Sequence, residues 1–320
     1  MLIEQFGDPA GEVPATAIEP VADPLADDDL QLALYLCYEL HYRGLDGVDD
    51  AWEWRPSLLA FRNQLEELMT DRLLAEVGAP EPFAGSVGDE LFALVAADDG
   101  PQLARHLASE GTLDQFREFA IHRSAYQLKE ADPHTWAIPR ISGPAKAALV
   151  EVQADEYGGG EPERMHSQLF ARTMRALGLD PTYGAYVERL PGTTLATVNL
   201  ISLFGLHRRW RGALVGHLAG FEISSPEPNR RYANGLRRLG LGAEATDFFD
   251  EHVEADSVHE NIAAYDLAGG LAEDEGAEIA GDILFGIRSL LRLDNRFAAR
   301  LLGAWESGGS ALLGPVALVA

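Results

Sequence analysis

An all-α fold is predicted by three features of the 320-residue chain: apolar residues recur at helical spacing, Pro, Gly and capping residues punctuate them, and strand-like alternation is scarce. Residues 1–27 carry Pro9, Pro14, Pro20 and Pro24 among Ala, Glu and Asp and read as a flexible acidic tail. Asp28 is placed to cap a helix running through Leu30, Leu32, Leu34 and Leu40 to Tyr42. Pro56 and Ser57 open the next, with Leu58, Phe61, Leu65, Leu68 and Leu73 on its apolar stripe. Shorter helices are expected at 88–97 and 101–109. Thr112 begins a longer one to residue 130, through Phe116, Phe119 and Tyr126. Pro133, Pro139 and Gly143 make 131–143 a loop. A helix over 144–157 is stopped by Gly158, Gly159 and Gly160, and Pro162 suits the first turn of another that ends near Gly178. The largely apolar stretch 193–222, interrupted by a basic patch at 207–211, reads as a buried central helix. Further helices are expected at 229–240, 243–269, 274–290 and 293–306. With no repeat and no linker in view, 28–320 is expected to form a single helical domain, a length that supplies a real core.

Composition narrows the function. Apolar residues are 47% and charged residues 24%, ordinary for a globular protein. A formal charge of −26 argues against nucleic acid and against an anionic membrane surface, both of which need clustered Lys and Arg. The one cysteine, Cys37, closes an apolar run and reads as a buried hydrophobe rather than a nucleophile. No basic and apolar signal segment opens the chain, and no apolar run is long enough for a membrane span, so a cytoplasmic location is expected.

The clearest chemical signal is His252, Asp256 and His259, at i, i+4 and i+7. At 3.6 residues per turn Asp256 lies about 40° from His252 and His259 about 20° on the other side, so all three share one stripe. Imidazole and carboxylate together suit iron, manganese or zinc. The bland alternative is a solvated face, since Asp250, Glu251, Glu254 and Glu260 surround the trio. A second signal is Glu163 and His166, a Glu-x-x-His pair that helical spacing would aim at one metal, directly after Glu156 and the glycine break. Only His166 of the nine histidines has Glu three residues before it, so the double motif of a ferritin-like bundle is incomplete.

The set resembles the haem-oxygenase-like di-iron oxidases, also called iron-containing redox enzymes. His252-Val-Glu-Ala-Asp256-Ser-Val-His259 matches their late-helix element, and Glu156 with Glu163-Arg-Met-His166 matches the Glu/His element. By position, Glu130 matches the first carboxylate and Glu222 the central one, with Glu151 and Asp155 as rivals to Glu156. The resemblance spans about residues 110–265 and implies a haem-oxygenase-like helical bundle. It further implies two iron ions held by Glu130, Glu156, Glu163, His166, Glu222, His252, Asp256 and His259, with Glu163 as the extra ligand of the nitrogen-oxygenating branch. O2 would be the co-substrate, activated through a peroxo-di-ferric species, and an external electron donor would restore the ferrous state. Family members are often dimers. Independently of the resemblance, four buried carboxylates would be untenable unless a cation compensated them.

Other signals are weaker. Gly240-Leu-Gly242-Ala-Glu-Ala245 mimics a dinucleotide fingerprint, but no strand precedes it, so it reads as a helix–helix turn. Trp52, Trp54, Trp136 and Trp210 read as core and loop anchors. His207-Arg208-Arg209 and Arg230-Arg231 could hold a substrate carboxylate or simply be solvated. Arg123 and Tyr126 precede Glu130 on its helix and are candidates for the same cavity, while His41, His106, His122, His134 and His217 read as structural. The function expected is O2-dependent oxygenation of an amine or guanidine nitrogen in a small metabolite. Two rivals stand beside it: oxidative C–C cleavage or desaturation of an aliphatic or amino acid at the same metal pair, and a non-catalytic acidic binding protein.

Overall fold

A computed structural model of the chain describes residues 11–13, 18 and 21–316. Most of the expected 1–27 tail lies outside the described residues. Its described end is anchored, because Leu25 is an apolar side chain fully buried in the main core.

The described residues are helical, with no strand among them. The helices are α1 (Asp28–Glu39), α2 (Pro56–Val77), α3 (Val87–Ala97), α4 (Leu103–Ser109), α5 (Leu113–Gln127), α6 (Asp132–Thr135), α7 (Gly143–Glu156), α8 (His166–Ala176), α9 (Gly192–Leu206), α10 (Arg211–Ser224), α11 (Pro226–Arg238), α12 (Ala243–Asn261), α13 (Gly270–Glu275) and α14 (Ala277–Glu306), with a π-helix at Ile262–Gly269. None is long and apolar enough to cross a membrane. The caps follow local chemistry. Thr112 and Gln115 form a reciprocal capping box at the start of α5. Asp27, not Asp28, caps α1 by accepting from the Leu30 amide at 2.8 Å, which frees Asp28 to accept from the Gly192 amide and tie α1 to α9.

Several boundaries differ from the sequence reading, three of them by a whole element. The 193–222 segment is two helices, because His207 leaves the helical backbone and its imidazole reaches Glu66 at 2.9 Å. The 274–290 and 293–306 segments are one 30-residue helix, α14, with no Gly or Pro at the join and with Arg292 and Arg296 both fixed to Glu76. The 131–143 loop contains α6 and a 3-10 turn, Ile138–Arg140.

The packing centres on α10 crossing α14. Gly212, Gly216 and Gly220 line one stripe of α10, and a Cβ on Gly216 would run into the Ile283 carbonyl of α14. Gly286 of α14 lies as tightly against the Ala213 carbonyl. These close approaches fix the height of α10, and therefore of Glu222 at its end. Gly286→Ala is expected to destabilise the fold by about 1–3 kcal/mol through overpacking. Gly303→Ala on the same helix meets nothing within 4 Å and should be stabilising by roughly 0.5–1 kcal/mol. Denaturant midpoints of the two variants check the pair, and equal midpoints would refute the close-packing argument.

Candidate metal centre

Five chain segments bring seven of the eight expected side chains together. Glu156 is the last residue of α7, where Gly158 and its neighbours turn the chain through positive φ. His166 opens α8, Glu222 lies near the end of α10, and His252, Asp256 and His259 share the inner face of α12. Glu130 stands in the turn after α5 rather than on a helix. That turn includes Ala131 at φ 72°, a left-handed conformation costing on the order of 1 kcal/mol or more. It is clamped from α1 and the segment after it: Lys129, fully buried, meets Glu39 at 2.9 Å, and Arg43 donates to the Leu128 carbonyl at 2.9 Å.

The ligand atoms form two groups. Glu130, Glu156, His166 and His252 make one, and Glu156, Glu222, Asp256 and His259 make the other, with atoms in each group within 4.8 Å of one another. Glu156 belongs to both. All seven residues are buried, none more than 9% exposed. His166 Nδ1 is 2.9 Å from Glu156 Oε2, His252 Nε2 is 3.4 Å from Glu130 Oε1, and His259 Nδ1 is 3.5 Å from Glu222 Oε2. Yet Glu130 Oε2, His166 Nδ1, Glu222 Oε2 and His259 Nδ1 have no hydrogen-bonding partner despite complete burial. Lone pairs that converge without bonding one another are what a cation pair would satisfy. Four carboxylates and three imidazoles fit iron as a donor set, and four negative charges balance two ferrous ions.

Outer contacts aim the rings. His252 Nδ1 donates to the Phe248 carbonyl at 2.7 Å, leaving Nε2 inward. His259 Nε2 meets Asp155 Oδ2 at 3.0 Å, leaving Nδ1 inward. Ser225 donates to Asp256. Such partners fix the tautomer and orientation of a metal-binding imidazole. Asp155→Ala is accordingly expected to weaken metal binding by about 10–100-fold with little change in fold, as measured by competition with a chelator. An unchanged affinity would deny Asp155 that orienting role.

The metal-free cluster titrates unusually. Burial pushes the Glu156 carboxyl up, but His166, His252 and His259 together outweigh it and hold it at about 2. Burial and the Asp256 charge push Glu222 up to about 8, and burial raises Asp256 to about 6 against the pull of His252. Burial opposes charge on His259, yet Glu222 and Asp155 raise it to about 9. His252 is likewise raised well above the usual imidazole value, by Glu130 foremost against its burial.

Glu163 stands apart. It is exposed, on a 3-10 turn, Pro162–Arg164, and takes no part in either group. Met165 follows in a non-helical conformation (φ −55°, ψ 132°), so Glu163 and His166 do not share the helical face that their spacing suggested. Of the rivals to Glu156, Glu151 is exposed and Asp155 serves His259.

A cavity of about 450 Å³ adjoins the cluster and is lined by Glu130, Glu156, Glu222, His252 and Asp256. Arg123 and Tyr126 line it as the sequence suggested, and so does Arg231. His207 is turned away onto Glu66, and Arg230 pairs with Glu227. The sequence reading missed a buried chain beside the cavity, in which Tyr126 OH lies 3.4 Å from His134 Nδ1 and His134 Nε2 lies 3.1 Å from His217 Nδ1. Three elements contribute to it, so no local motif marks it.

A family model described as iron-containing redox enzyme matches residues 117–295, more than half of the chain and all seven clustered residues. The chain belongs to the iron-containing redox enzyme family. It is an oxidoreductase with the haem-oxygenase-like all-α bundle that the sequence suggested. A curated relative is the nitrosourea synthase of Streptomyces achromogenes subsp. streptozoticus, 30% identical over 199 residues, which are 62% of this chain and 42% of that protein. The chain thus matches less than half the length of that relative. Two crystal structures of a CADD-like protein of unknown function from Nostoc punctiforme PCC 73102 share the fold. One has a TM-score of 0.53 at 15% identity, covering 66% of this chain and 94% of that one. The other has 0.54 at 14% identity, covering 72% and 97%. The two buried groups of His and carboxylate side chains are compatible with a metal site.

Proposed function

We propose that the chain holds two iron ions and uses O2 to oxygenate a nitrogen atom of a small polar metabolite. The observation that carries this reading is the pair of four-residue ligand groups joined at Glu156 and opening on one cavity. Glu130, His166 and His252 would serve one ion and Glu222, Asp256 and His259 the other, with Glu156 common to both. Glu163, on its exposed turn, is left out of this set. When bound, the iron pair supplies the electrons that reduce O2 and make its oxygen transferable, with an external donor restoring the ferrous state.

The protein's share is placement. His252 and His259 are held in their metal-facing orientations by the Phe248 carbonyl and Asp155. The aromatic rings of Phe170, Phe248 and Phe249 form an apolar part of the cavity wall beside the ligand groups. The nitrogen to be oxygenated must arrive with its lone pair free, in the space beside Glu130, Glu156 and Glu222. Asp98, Asp294 and Glu227 line the far side. Asp98 is held by Asn295, Asp294 by Arg123 and Glu227 by Arg230 and Arg231, a charged lining that suits a polar substrate better than a hydrocarbon tail, and this favours nitrogen oxygenation over cleavage of an aliphatic acid. The likeness to nitrosourea synthase points the same way.

The test is anaerobic loading with Fe(II), then O2 exposure with a panel of amines, guanidines, amino acids and aliphatic acids, read by mass spectrometry. Products bearing new N–O bonds support the proposal. Alkenes or shortened acids would replace it with the carbon reaction, and failure to retain iron would sink both.

A further inference from the structure

Gln153 lies on α7 three residues before Glu156, and both face the cavity. It is only 3% exposed, and neither Nε2 nor Oε1 of its amide has a hydrogen-bonding partner. Gln127 repeats the arrangement on α5. It lies three residues before Glu130, lines the same cavity, and its Oε1 is buried without a partner. Two amides thus line the cavity together with Glu130 and Glu156, with three polar atoms unsatisfied. Buried polar atoms are nearly always paired, so unpaired ones facing a cavity mark where a ligand completes the set.

We propose that Gln153, assisted by Gln127, is the specificity element of this cavity, and that it selects a neutral planar group carrying an N–H beside an acceptor: a carboxamide, a urea or an unprotonated amidine. The inference rests on reading the cavity as the substrate site. The chemistry follows from the side-chain amide itself, which offers two N–H donors and a carbonyl acceptor in one plane. An ammonium or guanidinium ion presents donors alone and leaves Nε2 facing another N–H. A carboxylate presents acceptors alone and leaves Oε1 unmatched. Only a group carrying both kinds of site pairs with both ends of Gln153. A pocket built to hydrogen-bond one group rejects analogues lacking it far more strongly than an apolar pocket can.

The test is calorimetric titration of the anaerobic Fe(II)-loaded protein with n-butylurea, pentanamide, n-butylamine and pentanoate. Wild-type protein is expected to bind the urea and the amide at least about tenfold more tightly than the amine or the acid. Gln153→Met, close in volume but without the amide, should erase that preference while leaving iron content and melting temperature unchanged. Gln127→Met should reduce it, and it carries the test if the first variant does not fold. An undiminished preference in the variants overturns the proposal. So does wild-type protein that ignores all four probes, since the amides would then be satisfied by water alone. Binding is read without turnover, so a failure to form oxygenated products counts against the proposed function, and a failure to discriminate among probes counts against this inference.

Discussion

Glu156→Gln is expected to empty both metal positions at once, where loss of any other ligand empties one. Glu156 is the residue common to the two ligand groups, and its replacement takes each from four donors to three. It also removes the anion that His166 and His252 both face. The uncharged amide keeps the volume, so the fold should persist while affinity at each position falls by more than the roughly 10–100-fold attached to an orienting partner. Iron analysis after anaerobic loading and desalting should give about two ions per chain for wild type and none for Glu156→Gln, against about one for His166→Ala or His259→Ala. Glu156→Gln protein that keeps an ion would show that the two groups do not share this carboxylate.

The parts of the centre that sequence could read are those written along one helix. His252, Asp256 and His259 fall on a stripe by periodicity alone, and α12 presents all three inward. Glu130 and Glu222 carry no local motif, and the family resemblance located them. The physical reason is visible at Glu130, whose turn is held by Glu39 and Arg43 from α1 and the residues just after it, contacts spanning most of a hundred residues. The Glu163–His166 spacing failed as geometry because one residue, Met165, leaves the helical region. The break of the 193–222 segment goes with a hydrogen bond of His207 to Glu66, 141 positions away, and Gly205 beside it is too common in helices to announce a break by itself. The role of Asp155 was hidden for a similar reason: its number places it beside Glu156, but only the packing of α12 against the end of α7 gives it an imidazole. Solvent-side and cavity-side residues of α7 look alike in sequence, and the unpaired amide of Gln153 exists only once the neighbouring helices are in place.

Iron should also reverse the pH dependence of stability. In the metal-free protein Glu222, Asp256 and His259 sit at about 8, 6 and 9, all above their ordinary values. These three groups hold protons that the unfolded chain releases, while buried His41, His122, His134 and His217, all pushed below the ordinary imidazole value, act in the opposite sense only up to about pH 7, so stability must fall as pH rises from 7 to 9. Glu156, held at about 2, acts in the opposite sense, but only below the ordinary carboxylate range, outside the window. Glu222 and His259 together give a loss on the order of 1–2 kcal/mol per pH unit, several degrees in melting temperature across the window. Metal ions bind the deprotonated ligands, so each must first displace those protons, and their affinity grows as pH rises. Melting curves at pH 7, 8 and 9 should fall without metal and hold level or rise with Fe(II) under anaerobic conditions. Fe(II) added in weak buffer at pH 7 should acidify the solution by more than one proton per chain. Metal-free and loaded curves that stay parallel across the window would mean that the acids and imidazoles of this cluster are not the groups that meet the iron.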